Sequence, residues 1–235
     1  MDILKSFETR IEDGKVVIPS MPDILVKIKH LLDTEDYSLK DIAELIRIDA
    51  GISAKLLSVA NSAAFCLRNK VLTVDQAINV LGTTNVFAIV SFIILNKQFK
   101  SDRLIFNSLI RSFWISSVEL AIISSELHKL DKGQTNETIF MSGLFHDIGT
   151  LLIISEFDKT LYTGDIKELV SFLGTPDAKL LAKKLKYILF KMWHMPEIYQ
   201  KENKYVTQAL DKVTAIDQLD AKTIKDQLKS FLILL

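Results

Sequence analysis

The chain has 235 residues, 49% of them apolar and 25% charged, so it can bury a proper core and is not disordered. Lysine plus arginine balance aspartate plus glutamate at 29 each, which argues against a dedicated binder of nucleic acid or anionic membrane, since both need a basic surface. Only 8 glycines and 4 prolines, with a helical apolar period in place of strand-like alternation, predict an all-α protein; the single cysteine, Cys66, excludes an internal disulfide and a multi-cysteine zinc site.

In chain order, Met1-Asp2-Ile3-Leu4-Lys5-Ser6-Phe7-Glu8 carries acids early and has no apolar signal core. Residues 1–17 read as a short helix, a turn at Asp13-Gly14 and the start of an extended piece that runs to Ile18. Pro19 and Pro22 set the way into the first strong helix, whose stripe is Ile24, Leu25, Ile28, Leu31 and Leu32. His30 lies off that stripe. Ser38 with Asp41 reads as an N-cap, and Asp49 caps the following helix. Thr73 and Gln76 form a capping box, and Gly82 closes that helix. Residues 86–95 are apolar nearly all round and predict a helix buried on most sides. The run is far shorter than the roughly 20 residues that span a bilayer, so a cytoplasmic protein without a membrane partner is expected.

Residues 104–130 form one long helix or two with a kink, carrying Trp114 inward. Asn136 caps a helix that holds residues 141–149. Asp165 and Glu168 start another, which ends at Gly174. Thr175 and Pro176 open a longer one, with Leu181, Leu185, Ile188, Leu189, Met192 and Trp193 as its buried face. Its lysines, Lys183, Lys184, Lys186 and Lys191, read as a solvated face. His194-Met195-Pro196 ends it. Two further helices follow, the last capped by Asp220.

Within this run, Ser142-Gly143-Leu144-Phe145-His146-Asp147-Ile148-Gly149 carries the clearest chemistry. An imidazole beside a carboxylate suits a divalent ion such as zinc, manganese or iron, although two ligands alone are short of a metal site. The other reading is a buried pair that satisfies helix ends.

Several segments together resemble the HDOD domain. They are Ile18-Pro19-Ser20-Met21-Pro22, Ile48-Asp49-Ala50, Lys55 through Phe65 with Asn61-Ser62 inside it, and Asp75-Gln76-Ala77-Ile78-Asn79-Val80-Leu81-Gly82. Phe113-Trp114-Ile115-Ser116-Ser117, Gly143 through Gly149 and Trp193-His194-Met195-Pro196 continue the pattern. The family usually has proline where Ala50 stands. The resemblance implies two packed helical lobes: an N-terminal HDOD-specific bundle over residues 18–103 and a degenerate HD-like bundle over residues 104–235. It also implies a bacterial, regulatory role in signal transduction.

Active HD enzymes have a histidine one helix before the His-Asp pair and an aspartate on a later helix. Ser116 holds the histidine position, and a neutral hydroxyl is a poor ligand for these ions. The chain has 4 histidines. Of these, His128 lies about 18 Å further along a straight helix and cannot replace it. Glu119 is one turn on, in a less direct register. The last aspartate is Asp211 or Asp217. The neighbouring histidines of HD-GYP phosphodiesterases are absent.

The expected site is therefore a degenerate one of Ser116, His146, Asp147 and Asp211, with no catalytic residue. No cofactor is expected, and any metal would sit on His146 and Asp147. Asp49, Asn61, Trp114 and Trp193 are read as structural. The expected function is a non-catalytic signalling module that binds a protein or small ligand, with no nucleic acid. The alternative is a metal-dependent phosphohydrolase or cyclic-dinucleotide phosphodiesterase.

Overall fold

The structure, a computed structural model, describes residues 2–32, 34, 37–62, 69–134, 136–193 and 204–210. Those residues are helical, with no strand among them. The helices are α1 (Ile3–Glu12), α2 (Asp23–Leu32), α3 (Leu39–Arg47), α4 (Ala50–Ala60), α5 (Val74–Leu81) and α6 (Thr83–Gln98). Then come α7 (Leu104–Lys132), α8 (Glu137–Leu144), α9 (Ile148–Glu156), α10 (Lys167–Leu173), α11 (Pro176–Met192) and α12 (Lys204–Leu210). A π-helical turn, Phe157–Leu161, extends α9.

Short polar side chains start half of these helices, because each satisfies an N–H that the first turn leaves without an intrahelical partner. Asp2 accepts from Lys5 N at 3.1 Å, Asp49 from Ile52 N at 3.0 Å, Asn136 from Ile139 N at 3.2 Å and Thr175 from Ala178 N at 3.2 Å. Ser38 with Asp41, and Thr73 with Gln76, close full capping boxes.

Helix α6 lies in the middle of the core. Its residues 86–93 are all buried, with Ile93 at 0% exposure and Ile89 at 1%. Phe92 reaches across to Trp114 of α7, ring centroids 5.3 Å apart and edge-on. Core side chains from α1 through α12 form one connected apolar cluster. Helix α7 is unbroken over its 29 residues. It and the stretch Thr138–Leu161 are long and apolar enough, by length and composition, to cross a membrane. In this fold 78% of the Thr138–Leu161 window is buried inside the protein.

Two polar ties hold the ends of the bundle. Arg10 of α1 donates through Nε to the buried Glu156 at 2.8 Å, fixing α1 against the end of α9. Asp131, at the end of α7, accepts from Lys204 at 2.8 Å and from the Tyr205 hydroxyl at 2.5 Å. The Lys204 hydrogen bond, then that of Tyr205, holds the Asp131 carboxyl well below the usual carboxylate range.

Asn61 closes the N-terminal loop region. Its amide donates to Leu57 O at 2.9 Å and to Val71 O at 2.8 Å, and its carbonyl accepts from Val71 N at 2.8 Å. Asn61→Ala is expected to cost about 2 kcal/mol in urea unfolding, because the buried Val71 loses both backbone partners. A change below about 0.5 kcal/mol would show that the loop closes without it.

Candidate functional site

The His-Asp pair sits at a corner. Apolar spacing predicts one helix over residues 141–149, but the structure breaks it: α8 stops at Leu144, residues 145–147 turn, and α9 starts at Ile148. Two glycines explain the turn. A Cβ on Gly143 would lie 2.5 Å from Ala121 Cα, and one on Gly149 would lie 1.8 Å from Ala182 O. Gly143 thus seats α8 on α7, and Gly149 seats α9 on α11, at distances no side chain permits. A single straight helix cannot make both approaches.

Phe145 anchors the corner from below, edge-on to Phe190 at 5.9 Å and to Trp193 at 6.1 Å. Trp193 is buried and donates its Nε1 to Pro19 O at 2.9 Å, so the Ile18-Pro19-Ser20-Met21-Pro22 segment straps the end of α11. Phe190 occupies the core side of α11, whereas Met192, expected to be buried, is 48% exposed.

His146 and Asp147 are half-buried. The His146 Nδ1 lies 3.1 Å from Gly143 O. A carbonyl only accepts, so Nδ1 carries the proton there and Nε2 is the lone-pair nitrogen of the neutral ring. Asp147 stands at the N-cap of α9 without capping it through its side chain. Instead its Oδ1 accepts from the Thr150 hydroxyl at 2.7 Å. Lys186 donates to His146 O at 2.7 Å. Its spacing reads as solvated, yet Lys186 lies one turn beyond Ala182, and the contact of Ala182 with Gly149 brings it to the corner.

Ser116 is exposed on α7, and its neighbour Ser117 is fully buried, its hydroxyl without a hydrogen-bond partner. Trp114 is fully buried among Phe92, Phe99 and Phe113. His128 is also buried and bonds through Nδ1 to Gln134 O at 2.8 Å, well away from this role. Asp211, Asp217, Asp220, His194 and Cys66 lie outside the described residues. Among the described residues, no three His, Cys, Asp or Glu side chains gather as a metal-binding group.

The corner, the strap and the Asn61 loop all fall inside one family match. The model of the HDOD domain matches residues 18–209. The chain belongs to the HDOD family. Among solved structures, this HDOD chain is similar to a Shewanella amazonensis SB2B protein provisionally named a metal-dependent phosphohydrolase. The TM-score is 0.70 at 18% identity, covering 99% of this chain and 97% of that one. An HDOD domain protein of unknown function from Geobacter sulfurreducens gives 0.62 at 18% identity, over 98% and 76% of the two chains. A Marinobacter aquaeolei VT8 protein provisionally named for signal transduction gives 0.64 at 17% identity, over 99% and 62%. Likeness at these identities establishes the helical HD-type fold. An uncharacterized protein of Treponema pallidum (strain Nichols) is 23% identical over 157 residues, which are 66% of this chain and 29% of that protein.

The HD fold implies a divalent ion at the corner, and the described donors do not fit one. Of the described residues, His146 and Asp147 are not joined by a third His, Cys, Asp or Glu, and two donors fall short of the three or more protein ligands such a site uses; the Thr150 hydroxyl on Asp147 Oδ1 orients that carboxylate without occupying its second oxygen. Sequence reasoning finds His146 and Asp147 from their adjacency. It misses Lys186 and Thr150. The hydroxyl three residues after Asp147, one helical turn on, is the signal that points to Thr150.

Proposed function

We propose that this HDOD domain is a non-catalytic signal-transduction module that acts by binding a protein partner. What carries this reading is Ser116, an exposed serine that the family resemblance matches to the first histidine of HD enzymes. The corner at His146 and Asp147 is organised for structure: Gly143 O holds the His146 ring, Thr150 holds Asp147, and Lys186 holds the His146 carbonyl. The first two contacts shape the turn itself and the Lys186 bond ties α11 to it, and none requires an ion.

Without a strongly held ion no water is acidified at this corner, and a phosphodiester meets no nucleophile at neutral pH. The name of the Marinobacter protein, which contains the word signal, and family membership support the regulatory side of the reading.

Calorimetric titration with manganese tests it. The unmodified chain is expected to bind in the millimolar range or weaker, and Ser116→His to bind at least about tenfold tighter, because it adds the imidazole that HD sites use. Stoichiometric micromolar binding by the unmodified chain would contradict the reading.

A further inference from the structure

The exposed side of α11 is divided by charge. Asp177, Leu180, Lys183 with Lys184, Tyr187 and Lys191 follow one another at steps of three and four residues, so they share one face, and all are exposed. Leu180 is 56% exposed and Tyr187 48%, so the face keeps large apolar side chains in water between its charges. At its N-terminal end a cavity of about 560 Å³ opens between α1, α10 and the first turn of α11. Asp2, Glu168 and Asp177 supply carboxylates to its wall, Lys167 an ammonium, and Leu4 and Phe172 apolar surface. Beyond it, residues 181–192 of α11 carry lysines and no acid. One face thus has an acidic end and a basic end.

We propose that this face of α11 docks on the same face of a second copy of the chain, the two helices running antiparallel about a two-fold axis at Lys183-Lys184. Such a contact needs a surface that is its own complement, in which residue i meets residue j and j meets i. The spacing supplies one. Asp177 and Lys191 are centred on Lys184, and Leu180 and Tyr187 are centred between Lys183 and Lys184. A single antiparallel register therefore sets Asp177 against Lys191 and Leu180 against Tyr187, each contact made twice. Lys191 then reaches the rim of the second copy's cavity, where Asp2 and Glu168 add carboxylates. Near the axis Lys183 of each copy approaches the other at the open rim, where salt screens like charges, and Lys184 has Glu8 of its own chain at 4.0 Å. A foreign acidic helix would match the basic end and set its carboxylates against the acidic one. A second α11 matches both. With 29 cationic and 29 acidic side chains, two copies also approach without net repulsion. The inference goes beyond the partner-binding reading above and does not need it.

The test is sedimentation velocity of the full chain between about 5 and 500 μM, with an expected dissociation constant on the order of 100 μM, weaker than interfaces of standard size reach. The dimer is expected to weaken at least about fivefold between about 50 and 500 mM sodium chloride. Asp177→Lys and Lys191→Glu, each at an exposed position, are each expected to weaken it at least about tenfold, because like charges then meet twice. The double variant, which restores the pair with its signs exchanged, is expected to regain at least about threefold over either single change. Lys27→Glu on the exposed side of α2 is the control, expected to stay within about twofold. Should a reversed chain fail to fold, Leu180→Gln, also at an exposed position, is expected to lose about threefold.

A chain that stays monomeric throughout this range, a dimer that the charge reversals leave as tight as the control does, or a double variant no tighter than the single ones would overturn the proposal. So would binding of a fluorescent hexaglutamate peptide, or of phosphatidylserine vesicles, by a chain that stays monomeric, since α11 would then face an acidic partner or a membrane. Hydrolysis at the His146-Asp147 corner would touch only the non-catalytic reading, so the two failures are distinct.

Discussion

A Gly149→Ala chain is expected to melt about 6–12 °C below the unmodified protein, a loss of at least about 3 kcal/mol for a domain of this size. The added methyl would stand 1.8 Å from Ala182 O and 2.5 Å from the Ala182 carbonyl carbon, and both are backbone atoms of α11 that no rotamer change can move. Helices α9 and α11 must separate, and the Lys186 bond to His146 O is then expected to stretch or break. Gly174→Ala is the matched control. A Cβ there meets Ser171 O at 3.5 Å, an ordinary contact, and the backbone is already right-handed helical. Its melting point is expected to move by no more than about 1 °C. Equal melting of the two variants in circular dichroism would show that α9 and α11 are not packed backbone to backbone.

Ile93→Asp is expected to leave no cooperative folded state near room temperature. Ile93 is completely buried in α6, in a stretch of residues buried without interruption from 86 to 93. A carboxylate there loses its water with no cation to pair with, which costs several kcal/mol, and the lost isoleucine packing adds about 2–5 kcal/mol. Together these approach the about 5–15 kcal/mol that holds a typical domain folded. Far-ultraviolet dichroism checks the outcome. A fully helical variant with unchanged melting would mean that α6 does not lie in the core.

How much of this was legible from residues alone follows from how local each signal is. Ser38, Asp49, Thr73, Asn136 and Thr175 bond to backbone within three residues, so their roles as caps can be read without knowing the fold. The apolar run in α6 is legible for a similar reason: a helix apolar on all sides has only the interior to go to. The corner at residues 145–147 is different. Phe145 and Ile148 keep the helical apolar period across it, so periodicity reads straight through a break that Gly143 and Gly149 impose by contacts with α7 and α11.

The same limit hides Lys186. On α11 alone it belongs with Lys183, Lys184 and Lys191, and only the contact of Ala182 with Gly149 turns it toward His146. Met192 continues the stripe of Leu181, Leu185 and Leu189, but the aromatic cluster of Phe145, Phe190 and Trp193 draws the last turn of α11 round to its own side. The π-helical turn Phe157–Leu161 also has no mark in the sequence. Glu156, just before it, is held by Arg10, and Asp158, inside it, accepts from Arg103 at 2.6 Å. Those partners come from α1 and from the start of α7, far away in the chain.

The central claim is that an HD-type corner here serves binding and not turnover, and hydrolysis tests it most directly. Purified chain is incubated with a cyclic dinucleotide and with a linear phosphodiester in added manganese, zinc or iron, beside Asp147→Ala under the same conditions. The expected result is no product above the metal-only blank for either protein. The expected effect of Asp147→Ala is confined to stability, at about 1 kcal/mol from the lost Thr150 hydrogen bond. Product formed by the unmodified chain and abolished in a folded Asp147→Ala chain would contradict the account.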